Sequence, residues 1–461
     1  MPDTTTANLG LTKPAALSAG WAAKVNTNFD LIDASAGSPV FNVKSYGAIG
    51  DGSTDDTAAL QATADATTIA SGTMYFPKGR YRITSNLRLA DPPVGSDHSN
   101  FNVIGDGPVQ SVILCDIASS SSVGVTFWTN KYMLVRGIGV ANAQAKGTRT
   151  GVMFAGYGSG TQTGQAIFEL FSVGDFDTGI VTSDGVNATS SEISFDTLTV
   201  SGCNVGFLNN SFNGLNFNIK NLIMSGNAIG LYAFTAGVYV YGGSASDNAI
   251  DFQFANGGTN AVHNFRSEVI TDKFIVQLGN TNQLVVTGCL AIASASPNTR
   301  TLVTLANSGV TMIGNQIGGQ ISLGNSLGPN YCLTLLNNDI IDPDNDCIEP
   351  NTGTASQSMG PGFRFDGEQN GRQFLSIGNR RCSTDFSTVT GTFKQGWGNL
   401  VYPSAWFPVL NKLPIVATAN LPAASTAMNG AAIIEDAGTG DRNLILYAGG
   451  QRFRIDGGAN F

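Results

Sequence analysis

"YGAIGDGSTDDTAALQ", residues Tyr46 to Gln61, places three glycines and three aspartates within ten positions and then runs directly into a helical pattern. Gly47, Gly50 and Gly52 form G-x-x-G-x-G, which is neither a phosphate-binding loop nor a dinucleotide fingerprint, and no Lys-Ser/Thr follows. A calcium loop begun at Asp51 would need a glycine sixth and a glutamate twelfth, where the chain has Asp56 and Ala62. A structural turn remains. The glycines supply positive φ, Thr54 is expected to cap a helix, and Asp55 and Asp56 to fill its first turn, where the dipole favours negative charge. The spacing of Ala59, Ala62, Ala66 and Ile69 predicts the face that this helix lays against another element.

The flanks extend the pattern. In "GTMYFPKGRYRIT" Met74 and Phe76, then Tyr81 and Ile83, alternate around a Pro-Lys-Gly turn, giving strand, turn, short helix, strand, turn, strand. "FNVKSYGAIGDGSTDDTAALQAT", this segment and "FNVIGDG" together closely resemble the N-terminal segment of the pectate-lyase-like superfamily, over Phe41 to Gly107. The resemblance implies a right-handed parallel β-helix capped by the helix. It fixes no chemistry, since the fold hosts lyases, hydrolases and non-enzymatic binders.

A β-helix must repeat, because each coil buries its face only against its neighbours. "DTGI" (177–180), "NVGF" (204–207), "AIGL" (228–231), "AIDF" (249–252) and "KFIV" (273–276) recur at steps of 27, 24, 21 and 24. Aligning the preceding segments puts Leu198 and Val200 in columns with Leu222 and Met224, Gly243 and Ala245, and Ser267 and Val269, which are read as inward. The outward columns hold Thr197, Asn221, Gly242 and Arg266, and Thr199, Ile223, Ser244 and Glu268.

Composition agrees with a β architecture. Charged residues are 12% of the chain, about half the usual share, while 57 glycines and many Ser, Thr and Asn supply turns and uncharged polar surface. A net charge of −9 argues against nucleic acid as partner. The cysteines at 115, 203, 289, 332, 347 and 382 form no C-x-x-C pair and are read as structural free thiols. No signal peptide and no apolar run of membrane-spanning length is evident, so a soluble chain made in the cytosol, without membrane insertion, is expected.

The ends differ from the body. Trp21, Val25, Phe29 and Ile32 form the apolar stripe of a helix that residues 1–40 cannot bury alone. "ANLGLTKPAALSAGWAAKVNTNFDLIDA" resembles the N-terminal stretch of phage tail fibres and tailspikes, where it attaches the protein to the virion. Beyond 350 the coil markers vanish and "QGWGNLVYPSAWFPVL" is rich in aromatics, so 351–411 is expected to be a second β module. "NLILYAGGQRFRI" carries a hairpin pattern around Ala-Gly-Gly, and with "ANLPAASTAMNGAAIIEDAG" resembles the small β module (412–461) ending many phage fibres. The expected chain is thus all-β: an anchor segment (1–40), a right-handed parallel β-helix (41–350) and C-terminal β modules, assembled as a homotrimer.

The resemblance implies a virion tail protein, joined through residues 1–40 to phage tail or baseplate proteins and recognising host surface polysaccharide. Whether it also cleaves that glycan stays open, with a purely adhesive fibre or a secreted bacterial polysaccharide lyase as alternatives. Cleavage needs two flanking carboxylates or a base beside a uronate. Glu268, Asp247 and Asp272 are the catalytic candidates; Tyr239, Tyr241, His263 and Arg266 on the same coils are the candidate sugar-binding residues. Arg266 and Glu268 lie two apart on a strand, with Gly242 and Ser244 expected below them as a shallow depression. An ordinary surface ion pair is the competing reading. Asp247 and Asp272 fall at coil corners, where Asp serves its own backbone bonds. Asp175, Asp177 and Asp196 form a second acidic set, Asp196 with an inward reading open to it. Asp342, Asp344, Asp346 and Glu349 suit either an oxygen-ligated cation or a solvated turn. His98 and His263 are the only histidines, and neither a metal nor a cofactor is expected.

Overall fold

The computed structural model describes residues 20–340 except 36–38, 91–100, 129–131, 156–161, 164, 184–188, 191, 212–215, 236, 256–257, 279–282, 294–300, 306–308 and 324–331. It also describes strands at 4–5, 12–13, 363–365, 367–368, 373–377, 384–385, 389–390, 415–417, 432–436, 442–448 and 451–455. Two compact units result: Met1–Cys203 with Ser211–Phe217, and Asn204–Asn210 with Asn218–Phe461.

The first unit opens with helix α1 (Trp21–Ser35), on which Trp21 and Phe29 stay 59% and 63% exposed. Strand β1 (Val40–Asn42) follows, and then the glycine-rich stretch, which is scaffolding. The buried Asp56 carboxylate accepts hydrogen bonds from the amides of Ile49 (2.7 Å) and Gly50 (3.0 Å), pinning the loop by its backbone. Gly50 has φ +72°, and a Cβ there would stand 2.8 Å from the Tyr81 ring, so the position requires glycine.

Thr54 does not cap the helix. Residues Asp51–Asp55 form a strand, β2, paired in parallel with β4 (Gly79–Ile83), and this delays helix α2 (Thr57–Ala70) until after Asp56, its N-terminal flanking residue. Asp55 accepts from the Thr57 amide at 3.0 Å. The buried face of α2 is also displaced from the expected stripe: Leu60, Thr63, Ala64, Thr67 and Thr68 are buried, whereas Ala62 and Ile69 are exposed. Hydroxyl bonds from Thr63, Thr67 and Thr68 to the carbonyls of Ala59, Thr63 and Ala64 satisfy those groups locally and leave only methyls to pack. Met74, Phe76 (on β3, Thr73–Phe76), Tyr81 and Ile83 are fully buried as the alternation demands.

Beyond β4 the chain coils. Strands β5 (Leu134–Asn142), β6 (Ile167–Gly174) and β7 (Ser194–Ser201) pair in parallel, with Val135, Phe168 and Phe195 in one register column and Val140, Val173 and Val200 in another. Val123–Trp128, Thr150–Ala155 and Thr178–Val181 form a second parallel sheet. Their side chains meet inside: the Phe168 ring lies 5.0–5.4 Å from those of Phe127, Phe154, Phe171 and Phe195. Phe168→Ala is expected to cost about 3–5 kcal/mol in a chemical denaturation curve, since rigid coils cannot collapse around the void.

The strands turn at a shared corner. Leu170 (φ +48°) and Thr197 (φ +62°) occupy left-handed conformations between register pairs, and Gly137 (φ +68°) does so on β5. A side chain there costs roughly 1–2 kcal/mol, least for Asn. Leu170→Asn is therefore expected to raise stability by roughly 0.5–1 kcal/mol in the same assay, because half-exposed Leu170 contributes little packing.

The second unit repeats the plan with strands β8 (Phe217–Ser225), β9 (Val238–Ser246), β10 (Ile250–Phe254), β11 (Thr259–Ile270) and β12 (Lys273–Gln277). Its left-handed corner holds Asn221, Gly242, Asn264, Gly288, Gly314 and Asn337. Asparagines line the interior: Asn227 Nδ2 donates to Asn248 Oδ1 (2.9 Å) and Asn315 Nδ2 to Asn338 Oδ1 (2.8 Å). Burial pushes the Cys203 and Cys289 thiols up to about 11, and with Cys115 they are buried and unbridged.

The register between β9 and β11 corrects the column alignment. Ser244 pairs with Arg266 and Ser246 with Glu268, two residues tighter than the markers imply. One of the two residues is absorbed between Glu268 and Lys273, where Val269 is left-handed (φ +56°), 45% exposed and not inward; the other lies in the markers, since Ile250 pairs with Lys273 and not with Phe274. Parallel pairing also passes the boundary expected at 350: Phe363–Phe365 pairs with Gln320–Leu323, Gln373–Ile377 with Cys332–Leu336, and Thr384–Asp385 with Phe363–Phe365. The C-terminal hairpin is present, with Arg442–Ala448 antiparallel to Gln451–Ile455. Among the described residues no helix is long and apolar enough to cross a membrane.

Candidate functional site

The outer face of β9 and β11 brings four of the expected residues into two groups. Tyr241 and His263 are register partners on consecutive coils, and their rings stack with centroids 5.2 Å apart and planes 17° apart. His263 is in register with Thr287 on the next coil, and its Nδ1 is 2.6 Å from the Thr287 hydroxyl. That contact fixes the ring's orientation. Tyr239 is in register with Ala261, a small buried residue.

Asn264 then turns the strand through its left-handed corner before Arg266 and Glu268. The Arg266 guanidinium donates to Glu268 Oε1 from Nε at 2.9 Å and from Nη2. The neighbours beneath are Ser244 and Ser246, so the depression expected over Gly242 and Ser244 is instead floored by two serines. The pair is exposed, and such pairs are worth about 0–1 kcal/mol. Glu268→Gln should therefore leave the denaturation midpoint nearly unchanged, within about 1 kcal/mol, which makes it a clean variant for chemistry.

The other two carboxylates stand apart. Asp247 is an exposed left-handed corner residue (φ +57°) after β9, the conformation that Asp tolerates best after Gly and Asn. Asp272 accepts from Lys273 Nζ at 2.6 Å.

One column escaped the sequence reading. The residue just before each corner residue points outward: Lys220, Tyr241 and His263 in the second unit, and Arg136, Glu169 and Asp196 in the first, where Arg136 and Glu169 are ion-paired. The asparagines and glycines that follow Lys220, Tyr241 and His263 were the available signal. Asp196 is exposed, which removes the inward reading, and Asp175 is a left-handed corner residue against Gly202. Asp342, Asp344, Asp346, Glu349 and His98 lie outside the described residues. Among the described residues no group of three or more His, Cys, Asp or Glu is placed to hold a metal.

Residues 40–250 match the family profile described as rhamnogalacturonase A/epimerase, pectate lyase-like. Mannuronan C5-epimerase AlgE3 of Azotobacter vinelandii is 45% identical over 74 residues, which are 16% of this chain and only 4% of the epimerase. Among solved structures, the gp42 tailspike of Acinetobacter phage vb_AbaP_AS12 matches with a TM-score of 0.50 at 10% identity, over 91% of this chain and 78% of the tailspike. The Agl-KA catalytic domain also gives 0.50, at 12% identity, over 78% of this chain and 69% of that one. Residues 40–250 thus match a pectate-lyase-like profile, and the chain has the right-handed parallel β-helix fold of these two structures.

Proposed function

We propose that this chain is a phage tailspike or tail-fibre protein that recognises a host surface polysaccharide on the outer face of its β-helix. The observation that carries the reading is the stacked Tyr241–His263 pair with Thr287, aligned across three successive coils. Exposed aromatic side chains pack against the apolar CH surface of sugars, and the Tyr241 and Thr287 hydroxyls match sugar hydroxyls. The resemblances of residues 1–40 and 412–461 to phage fibre segments add the setting: attachment to the tail at one end, and a homotrimer on the virion. The exposed Trp21 and Phe29 suit a helix that docks on another chain.

Adhesion without cleavage is the better-supported form of this reading. Glu268 is tied to Arg266 and Asp272 to Lys273, so two of the three candidate acids are held in ion pairs on the surface. If cleavage occurs, Glu268 is the acid that lies nearest in the chain to the aromatic pair, with Arg266 positioned to meet an anionic substituent.

The test is incubation of the purified chain with capsular polysaccharide and lipopolysaccharide from candidate hosts. Retention, new reducing ends and the ultraviolet absorbance of an unsaturated sugar are followed together. Tyr241→Ala and His263→Ala are each expected to weaken retention about tenfold, the loss of roughly one stacking contact. New reducing ends lost in Glu268→Gln would establish an enzyme. A host polysaccharide retained equally by both ring variants would remove this face as the binding site.

A further inference from the structure

Beneath the strand that carries Arg266 and Glu268 lies a buried polar cluster that the binding face does not use. Asp251 on β10 is 1% exposed and Ser267 on β11 is fully buried. The Ser267 hydroxyl bonds Asp251 Oδ2, and Asn248 Nδ2 donates to Asp251 Oδ1 at 2.8 Å. Asn248 Oδ1 accepts in turn from Asn227 N and Nδ2, both at 2.9 Å, and the Asn248 carbonyl accepts from Thr271 Oγ1 at 2.9 Å. Three coils are thus tied to one carboxyl group.

We propose that the Asn227–Asn248–Asp251–Ser267 cluster is a proton-operated lock on the coil that carries Arg266 and Glu268, independent of what the outer face binds. Among the described residues no cation is hydrogen-bonded or ion-paired to Asp251. On β10 and the elements packed against it, Lys273 is paired with Asp272, Arg266 is paired with Glu268, His263 stacks on Tyr241, and Lys220 and Asp247 lie on the exposed surface. Phe252, the next residue on β10, is buried against Phe265 and Phe274. A neutral carboxyl group fits this site, with Oδ1 accepting from Asn248 and Oδ2 sharing one hydrogen bond with the Ser267 hydroxyl. A carboxylate there is a buried charge compensated only by two neutral donors.

Burial raises the Asp251 carboxyl from 3.8 to about 6, partly offset by the bonds from Ser267 and Asn248. The folded chain therefore holds this proton at a pH where the unfolded chain has lost it. The contribution is complete below the ordinary value of 3.8 and is lost as pH rises through about 6. The gap of about two pH units corresponds to about a hundredfold in the opening equilibrium.

Native-state amide exchange of residues 265–270 in the full chain, compared with Asp251→Asn at each pH, tests the lock. Asparagine mimics the neutral acid at every pH and cancels the pH dependence of exchange chemistry. Between pH 4 and 8 the wild type is expected to lose protection relative to Asp251→Asn by up to about a hundredfold, with the change centred near pH 6. Should Asp251→Asn not fold, Ser267→Ala removes a bond that favours the carboxylate and is expected to move the transition to higher pH. Parallel profiles for wild type and Asp251→Asn, or an unmoved transition in Ser267→Ala, would overturn the proposal.

Discussion

The structure depends on one constraint: every coil must turn at the same place. In parallel stacking each residue meets its counterpart one coil away, so a corner set by one residue is inherited by the next. Left-handed positions align through each unit, at Leu170 and Thr197 in one and at Gly242 and Asn264 in the other. Where the corner residue is Gly or Asn the turn is nearly free; where it is Leu or Thr the core must hold it. Phe168 and Phe171, flanking Leu170, and Phe195 and Leu198, flanking Thr197, are the buried residues that do so.

The same constraint creates the outer face. Because the residue before each corner always points out, chemistry placed there is repeated along the stack without further design. Tyr241 and His263 stack because they hold that position on adjacent coils, and Thr287 meets His263 for the same reason. Interior polar groups obey the rule too. Asn227 over Asn248 and Asn315 over Asn338 bridge consecutive coils, satisfying carboxamides that would otherwise be costly to bury.

Much of this was legible in the chain. The glycine and aspartate spacing of 46–61, the Met74 to Ile83 alternation and the coil markers gave the architecture, because turns and inward columns leave fixed-period traces in sequence. Register was less legible. The markers repeat at 24 where the pairing of Ile250 with Lys273 steps by 23, and one further residue is taken up beside Val269, so Glu268 lies over Ser246 and not over Ser244. The α2 face is not legible from polarity, because Thr63, Thr67 and Thr68 are buried once their hydroxyls bond the preceding turn. The site candidates were named from residue type. Their grouping into a stacked pair and a separate ion pair required the corner at Asn264, which a lone asparagine does not announce.

The central claim is that host polysaccharide binds the face formed by Tyr241, His263 and Thr287. Oxidative side-chain footprinting of the full chain, with and without a polysaccharide that it retains, tests this directly, since tyrosine and histidine report their own exposure. Protection of Tyr241 and His263, with Trp21 and Phe29 unchanged, is the predicted result. Protection confined to any other surface, with both rings as reactive as in the free protein, would contradict it.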